Sequence, residues 1–178
     1  MAESLHVNIH TYAQEKHLHP QTVRRWCAWE ERDQETLWCL AKELQIGENH
    51  LRDLIGWLEE ISLRDGGTPA EVLGRQEIRR ALARNLSRSD KLKEVKGELR
   101  KLRYPRLSQL EDQLKETVKK MDLGSRVQIT FPPFLEGNEV KVEIQARNAK
   151  ELKESIERLL LQVEEGWVEK LFALMDEV

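Results

Sequence analysis

Cysteine is nearly absent from this sequence: of 178 residues, only Cys27 and Cys39 carry thiols. Two cysteines cannot build the disulfide framework of a small secreted domain. Their neighbours, WCAW and LWCL, are apolar and aromatic, so both read as buried free thiols of a reducing cytoplasm. A metal reading would recruit His17, His19 or His50. Without a CxxC or HxxxH pair among these residues, no metal and no other cofactor is expected. Long apolar stretches are missing as well. No run of eighteen apolar residues and no signal-peptide layout occurs, which reads as a cytoplasmic chain without a membrane segment. Catalytic signatures are equally scarce: GxGxxG, the P-loop, GxSxG and HExxH do not occur. The plentiful carboxylates fall on amphipathic helix faces, where solvation and i,i+4 pairing explain them. The expectation is a protein that is not an enzyme.

What the sequence does have is charge, unevenly spread. Hydrophobic residues make up 39% and charged residues 34%, a balance typical of a soluble, helix-rich protein. The net charge of −3 conceals three blocks. Residues 1–65 carry 7 Lys and Arg against 12 Asp and Glu, residues 66–106 carry 12 against 5, and residues 107–178 carry 10 against 15. A basic middle between acidic ends points to a polyanionic partner; the competing reading is a solvated helical connector.

Apolar periodicity predicts helices over residues 10–17, 20–29, 33–45 and 49–61. Leu37, Leu40, Ala41 and Leu44 share one face of the third, and Leu51, Leu54, Ile55 and Leu58 one face of the fourth. Arg64 to Pro69 marks a boundary, with Thr68 as N-cap and Pro69 at the first helical position. One helix is expected over 69–85. A very basic one, capped by Ser89 or Asp90, follows to about residue 103, and an amphipathic one covers 106–121. Past residue 124 the period drops from about 3.6 to 2. Val127, Ile129 and Phe131, then Val140, Val142 and Ile144, alternate with polar residues around PPFLEGN and its Gly137-Asn138 turn, which predicts a β-hairpin. Asn148 caps a helix with Leu152, Ile156, Leu159 and Val163 spaced 4-3-4, and a last helix covers 167–175.

An isolated hairpin exposes an edge on both sides, and 4-3-4 is the spacing of a two-helix seam. Both are satisfied if two copies pair. Residues 107–178 are therefore expected to dimerise through Val127, Ile129, Val140, Val142, Ile144, Leu152, Ile156, Leu159 and Val163. The alternative is that hairpin and helix pack on the basic middle of their own chain.

The stretch YAQEKHLHPQTVRRW carries the pattern of a helix-turn-helix. Ala13 is the small residue, Leu18 plugs the turn, and Val23 and Trp26 anchor the second helix. Gln21, Thr22, Arg24 and Arg25 are left facing outward, residue types that contact phosphates and base edges. A second match lies 28 residues downstream, with Ala41, Ile46, Leu51 and Leu54 in the same roles. Its outward Asn49, His50 and Arg52 stand beside two acids, Glu48 and Asp53, so it serves either as a second DNA contact or as a packing copy. Arg79, Arg80, Arg84, Lys91 and Lys93 of the basic middle would add phosphate contacts that the acidic first third lacks. The five tryptophans lie mostly on apolar stripes and read as core rather than as base-stacking platforms.

The TYAQEKHLHPQTVRRW run resembles the helix-turn-helix of MerR-type regulators and phage excisionases. Separately, LEDQLKETVKKMDLGSRVQITF…GNEVKVEIQARNAKELKESIERLL resembles the C-terminal dimerisation domain of ParB-type partition proteins. The matching positions are Leu110, Leu114, Leu123, Gly124, Val127, Ile129, Gly137, Val140, Val142, Ile144, Leu152, Ile156 and Leu159. The resemblance implies an intertwined dimer and adds a partition ATPase as a further partner. The chain shows neither the nucleotide-binding domain of that family nor a GERR-like arginine motif, so clamp loading and CTP hydrolysis are not carried over.

The expectation is a mostly α protein with a small α+β C-terminal module, in three regions. These are a helix-turn-helix region (1–65), a basic helical connector (66–106) and a helix–hairpin–helix dimerisation module (107–178). The expected function is that of a homodimeric DNA-binding protein, either a transcriptional regulator or a partition or centromere-binding adaptor. The alternatives are a protein–protein adaptor without nucleic acid, and RNA binding by the basic middle.

Overall fold

The computed structural model describes residues 2–137 and 139–177, with side chains from Ser4 onward. The described residues form ten α-helices and one two-stranded sheet, a mostly α chain with a small α+β module. They divide into two units, Met1–Arg103 and Tyr104–Val178. No helix among them is long and apolar enough to cross a membrane.

The first unit is all helical: α1 (Ala2–Glu15), α2 (Pro20–Cys27), α3 (Glu31–Leu44), α4 (Glu48–Asp65), α5 (Pro69–Leu73), α6 (Gln76–Ala83) and α7 (Arg88–Arg103). Its centre is α4, whose Leu51, Leu54, Ile55, Leu58 and Ile61 are at most 1% exposed. Helices α2, α5 and α7 pack on α4, and Trp26 and Leu37 are fully buried in the same core.

Residues 66–103 are not the separate connector expected from their charge. Val72, Leu73, Ile78, Ala81, Leu92, Val95 and Leu99 belong to the core that holds α1–α4. The basic helix α7 hides an apolar stripe at residues 92, 95 and 99, and burying each such side chain stabilises by about 1.5–3 kcal/mol. The helix expected over 69–85 is two helices, because the chain turns at Gly74-Arg75. Helix α5 begins with a reciprocal cap, Thr68 Oγ1 accepting from Glu71 N–H at 3.3 Å and Glu71 Oε2 from Thr68 N–H at 3.0 Å. The buried Asp33 side chain accepts a further orphan N–H, from Ala70, at 2.8 Å. Helix α7 starts earlier than Ser89: Ser87 Oγ accepts from Asp90 N–H at 3.2 Å.

The second unit comprises α8 (Pro105–Lys120), β1 (Val127–Thr130), β2 (Lys141–Ile144), α9 (Ala149–Glu164) and α10 (Trp167–Met175). The strands are antiparallel, with Val127 opposite Ile144 and Ile129 opposite Val142. A single 3-10 turn, Pro133–Leu135, interrupts the long connection, and Phe134 and Leu135 lie at φ 58° and 55°. Of the expected turn, Gly137 has φ 104°, a conformation that suits glycine; Asn138 lies outside the described residues. The core collects Leu110, Leu114, Met121, Leu123, Val127, Leu135, Leu171 and Met175. Asn148 caps α9 by accepting from Glu151 N–H at 2.9 Å.

Candidate nucleic-acid interface and self-association face

Two helix corners in the first unit repeat one backbone device. In the first, His17, two residues past the end of α1, takes the left-handed conformation at φ 52°, and Leu18 N–H donates back to Ala13 C=O at 2.8 Å. In the second, Gln45 takes φ 54° after α3, and Ile46 N–H donates to Ala41 C=O at 3.1 Å. Ala13 and Ala41 are buried where the helices approach, and Leu18 and Ile46 are buried as plugs. His19 starts α2, its Nδ1 accepting from Gln21 N–H at 3.2 Å, with Pro20 in the first helical position. The corners are clasped together by Tyr12, whose hydroxyl lies 2.8 Å from both the Ala41 and Ile46 carbonyl oxygens and donates to them. Burial pushes this phenol up to about 12, since the charged form has no water to stabilise it.

On α2, Gln21 and Arg24 are exposed as expected, but Thr22 and Arg25 are not outward readers. Thr22 is 3% exposed and donates to Glu48 Oε1 at 2.8 Å. Half-buried Arg25 is ion-paired with Glu59, which also accepts from Trp29 Nε1 at 3.1 Å. The physical reason is that α2 lies against α4, which brings Glu48 and Glu59 against the side of α2 that carries Thr22 and Arg25. Nothing in α2 alone shows this.

At the second corner Asn49, His50 and Arg52 are exposed. His50 is drawn toward α7, its Nδ1 3.3 Å from Lys96 Nζ. In the basic middle, Arg79, Arg80 and Lys93 are exposed and form no ion pair among the described residues. Arg84 pairs with Glu94, and Lys91 lies 3.5 Å from Glu43. Four cations of this segment bind acids of the first 65 residues: Arg75 with Asp65, Lys91 with Glu43, Lys96 with Asp53 and Arg103 with Glu60. Lys96 and Arg103 also stand over the Trp57 ring, at 5.0 and 5.9 Å. The basic block is in large part the counter-charge of the acidic one: residues 1–103 together carry 18 Lys and Arg against 17 Asp and Glu.

Between α1 and α2 lies an open cleft of about 700 Å³, lined in part by His6, His10, His17, Arg24 and Cys27. Burial pushes the Cys27 thiol above its ordinary pKa, whereas Cys39, expected to be buried, is exposed. His6 and His10 are not among His17, His19 and His50, the histidines that a metal reading of the sequence would recruit. Their i,i+4 spacing in HVNIH is the one signal that could have found them.

In the second unit, the nine expected interface residues fall into two groups. Val127 is buried in the unit's own core, and Ile129, Val140, Ile144 and Leu159 pack partly against it. The other four, Val142, Leu152, Ile156 and Val163, are 41, 42, 49 and 39% exposed. Leu160 and Leu161 add 55 and 50% to the same helix. Helix α9 meanwhile buries Ser155 and Gln162, each at 4%. Leu159 apart, it buries polar residues and leaves apolar ones outward, the reverse of a helix whose apolar face is covered by its own chain. Comparison of the chain with protein-family models, with curated proteins and with solved structures gives no match.

Proposed function

We propose that this chain is a homodimer that binds duplex DNA, as a transcriptional regulator or as a partition or centromere-binding adaptor. The observation that carries the DNA reading is the duplicated helix-turn-helix corner, which leaves Gln21 and Arg24 exposed on α2 and Asn49 and Arg52 exposed near the start of α4. The reader set is narrower than the sequence suggests, because Thr22 and Arg25 are held by Glu48 and Glu59. Arg79, Arg80 and Lys93 remain as phosphate contacts. Dimerisation is supported by the outward apolar face of α9 and by the two open edges of a two-stranded sheet, which a second copy covers edge to edge and helix to helix.

A salt titration of the full chain on duplex DNA tests the first part. A steep loss of affinity with salt, weakened further by Arg24→Ala, is expected; absent or salt-independent binding overturns it. Competition with duplex RNA distinguishes an RNA-binding basic middle. Light scattering on the full chain tests the second part, and a monomer mass defeats it. The second reading, a protein–protein adaptor, is favoured by the near balance of charge in residues 1–103, and it predicts no DNA binding at any salt.

A further inference from the structure

His6 and His10 stand one helical turn apart on α1, and the His17 corner folds α2 back so that Cys27, at its end, reaches the same place. One ring nitrogen of each histidine and the Cys27 sulfur all lie within 4.8 Å of one another. The two rings are tilted at 42° with centroids 6.5 Å apart, so they converge without stacking. We propose that His6, His10 and Cys27 form a binding site for a divalent transition metal of borderline softness, Zn²⁺ fitting best.

Two imidazoles and one thiolate are a donor set that excludes Mg²⁺ and Ca²⁺, which take oxygen ligands, and suits Zn²⁺. Around a tetrahedral zinc with bonds of roughly 2.0–2.3 Å, donors lie about 3.3–3.8 Å apart. A closure of about 1 Å, within the reach of side-chain rotation at an exposed His pair, completes the geometry. On ligation the thiol proton leaves to solvent and the metal takes its place. Arg24 and His17 line the same cleft without joining the cluster, so the fourth position falls to water. The ion would tie the first half of α1 to the end of α2. This site is independent of DNA binding: it can hold metal whether or not α2 touches nucleic acid.

Cobalt is the probe. Titrating the full chain with Co²⁺ is expected to give a one-to-one complex with intense tetrahedral bands and a thiolate-to-cobalt charge-transfer band, both removed by one equivalent of Zn²⁺. Cys27→Ser should abolish the charge-transfer band. His6→Ala or His10→Ala should each weaken Zn²⁺ binding by more than the ~10–100-fold typical of an outer-shell loss. Cys39→Ser, at an exposed thiol, should leave the spectrum intact and so controls for adventitious thiol binding. A weak octahedral spectrum, or a charge-transfer band that survives Cys27→Ser, overturns the proposal. Circular dichroism of each variant separates lost ligation from lost folding. Zn²⁺ should also raise the Tm of the native chain and not of Cys27→Ser.

Discussion

Helices α4 and α9 are of similar length, 18 and 16 residues, and both carry an apolar stripe at helical spacing, yet they bury opposite faces. Helix α4 hides every leucine and isoleucine of its stripe beneath α2, α5 and α7. Helix α9 hides Ser155 and Gln162 and presents Leu152, Ile156, Leu160 and Val163 to solvent. The other six helices of the first unit have enough surface to enclose α4; the two helices and the hairpin beside α9 do not cover it. Periodicity shows that a helix owns an apolar face, and only the rest of the fold decides whether its own chain covers it.

The largest effect is expected at the enclosed core. Trp26→Ala empties a fully buried site and removes the indole donor that reaches Gln34 C=O at 3.2 Å. A loss of about 3–5 kcal/mol is expected in urea melts. On α9 the matching change is Ile156→Glu with Leu160→Glu. Because each apolar side chain covered at an interface is worth about 1.5–3 kcal/mol, the mass in light scattering should fall to the monomer while the helical circular dichroism stays. A variant that remains dimeric would place the self-association elsewhere.

Tyr12→Phe removes the clasp between the two corners and should cost about 1–3 kcal/mol, since two buried carbonyls lose a donor. The sign of the pH dependence follows from the raised phenol: folding keeps Tyr12 protonated, so its contribution is complete below the ordinary value of 10.0 and is lost as pH rises toward about 12. The native chain should therefore lose stability at alkaline pH more steeply than Tyr12→Phe. The smallest effects separate the two arginines of α2. Arg24→Ala should weaken DNA binding a few-fold and lower the salt slope by about one phosphate contact without moving Tm. Arg25→Ala should shift stability by less than about 1 kcal/mol, as for a partly exposed ion pair, and leave DNA affinity near that of the native chain. Equal effects of both on DNA would restore the wider reader set.

Much of this architecture is legible in the residues. Thr68 and Asn148 are capping side chains whose chemistry is local, and the change of period after residue 124 announces the strands. The small Ala and apolar plug of each corner are also visible as a pattern. What escapes is whatever depends on a second element. The inward turn of Thr22 and Arg25 is decided by two carboxylates on α4, far off in sequence. The basic middle looks like a polyanion site because its partners, Glu43, Asp53, Glu60 and Asp65, belong to the acidic block before it. The cluster of His6, His10 and Cys27 needs a fold that brings α1 and the end of α2 together.

The Tyr12 clasp has a further consequence. Because one side chain of the first corner satisfies backbone carbonyls of the second, neither corner can open and leave the other intact. The amide protons of Leu18 and Ile46, each held by the buried alanine of its own corner, should therefore exchange with deuterium through one shared opening. Tyr12→Phe should split that single protection into two.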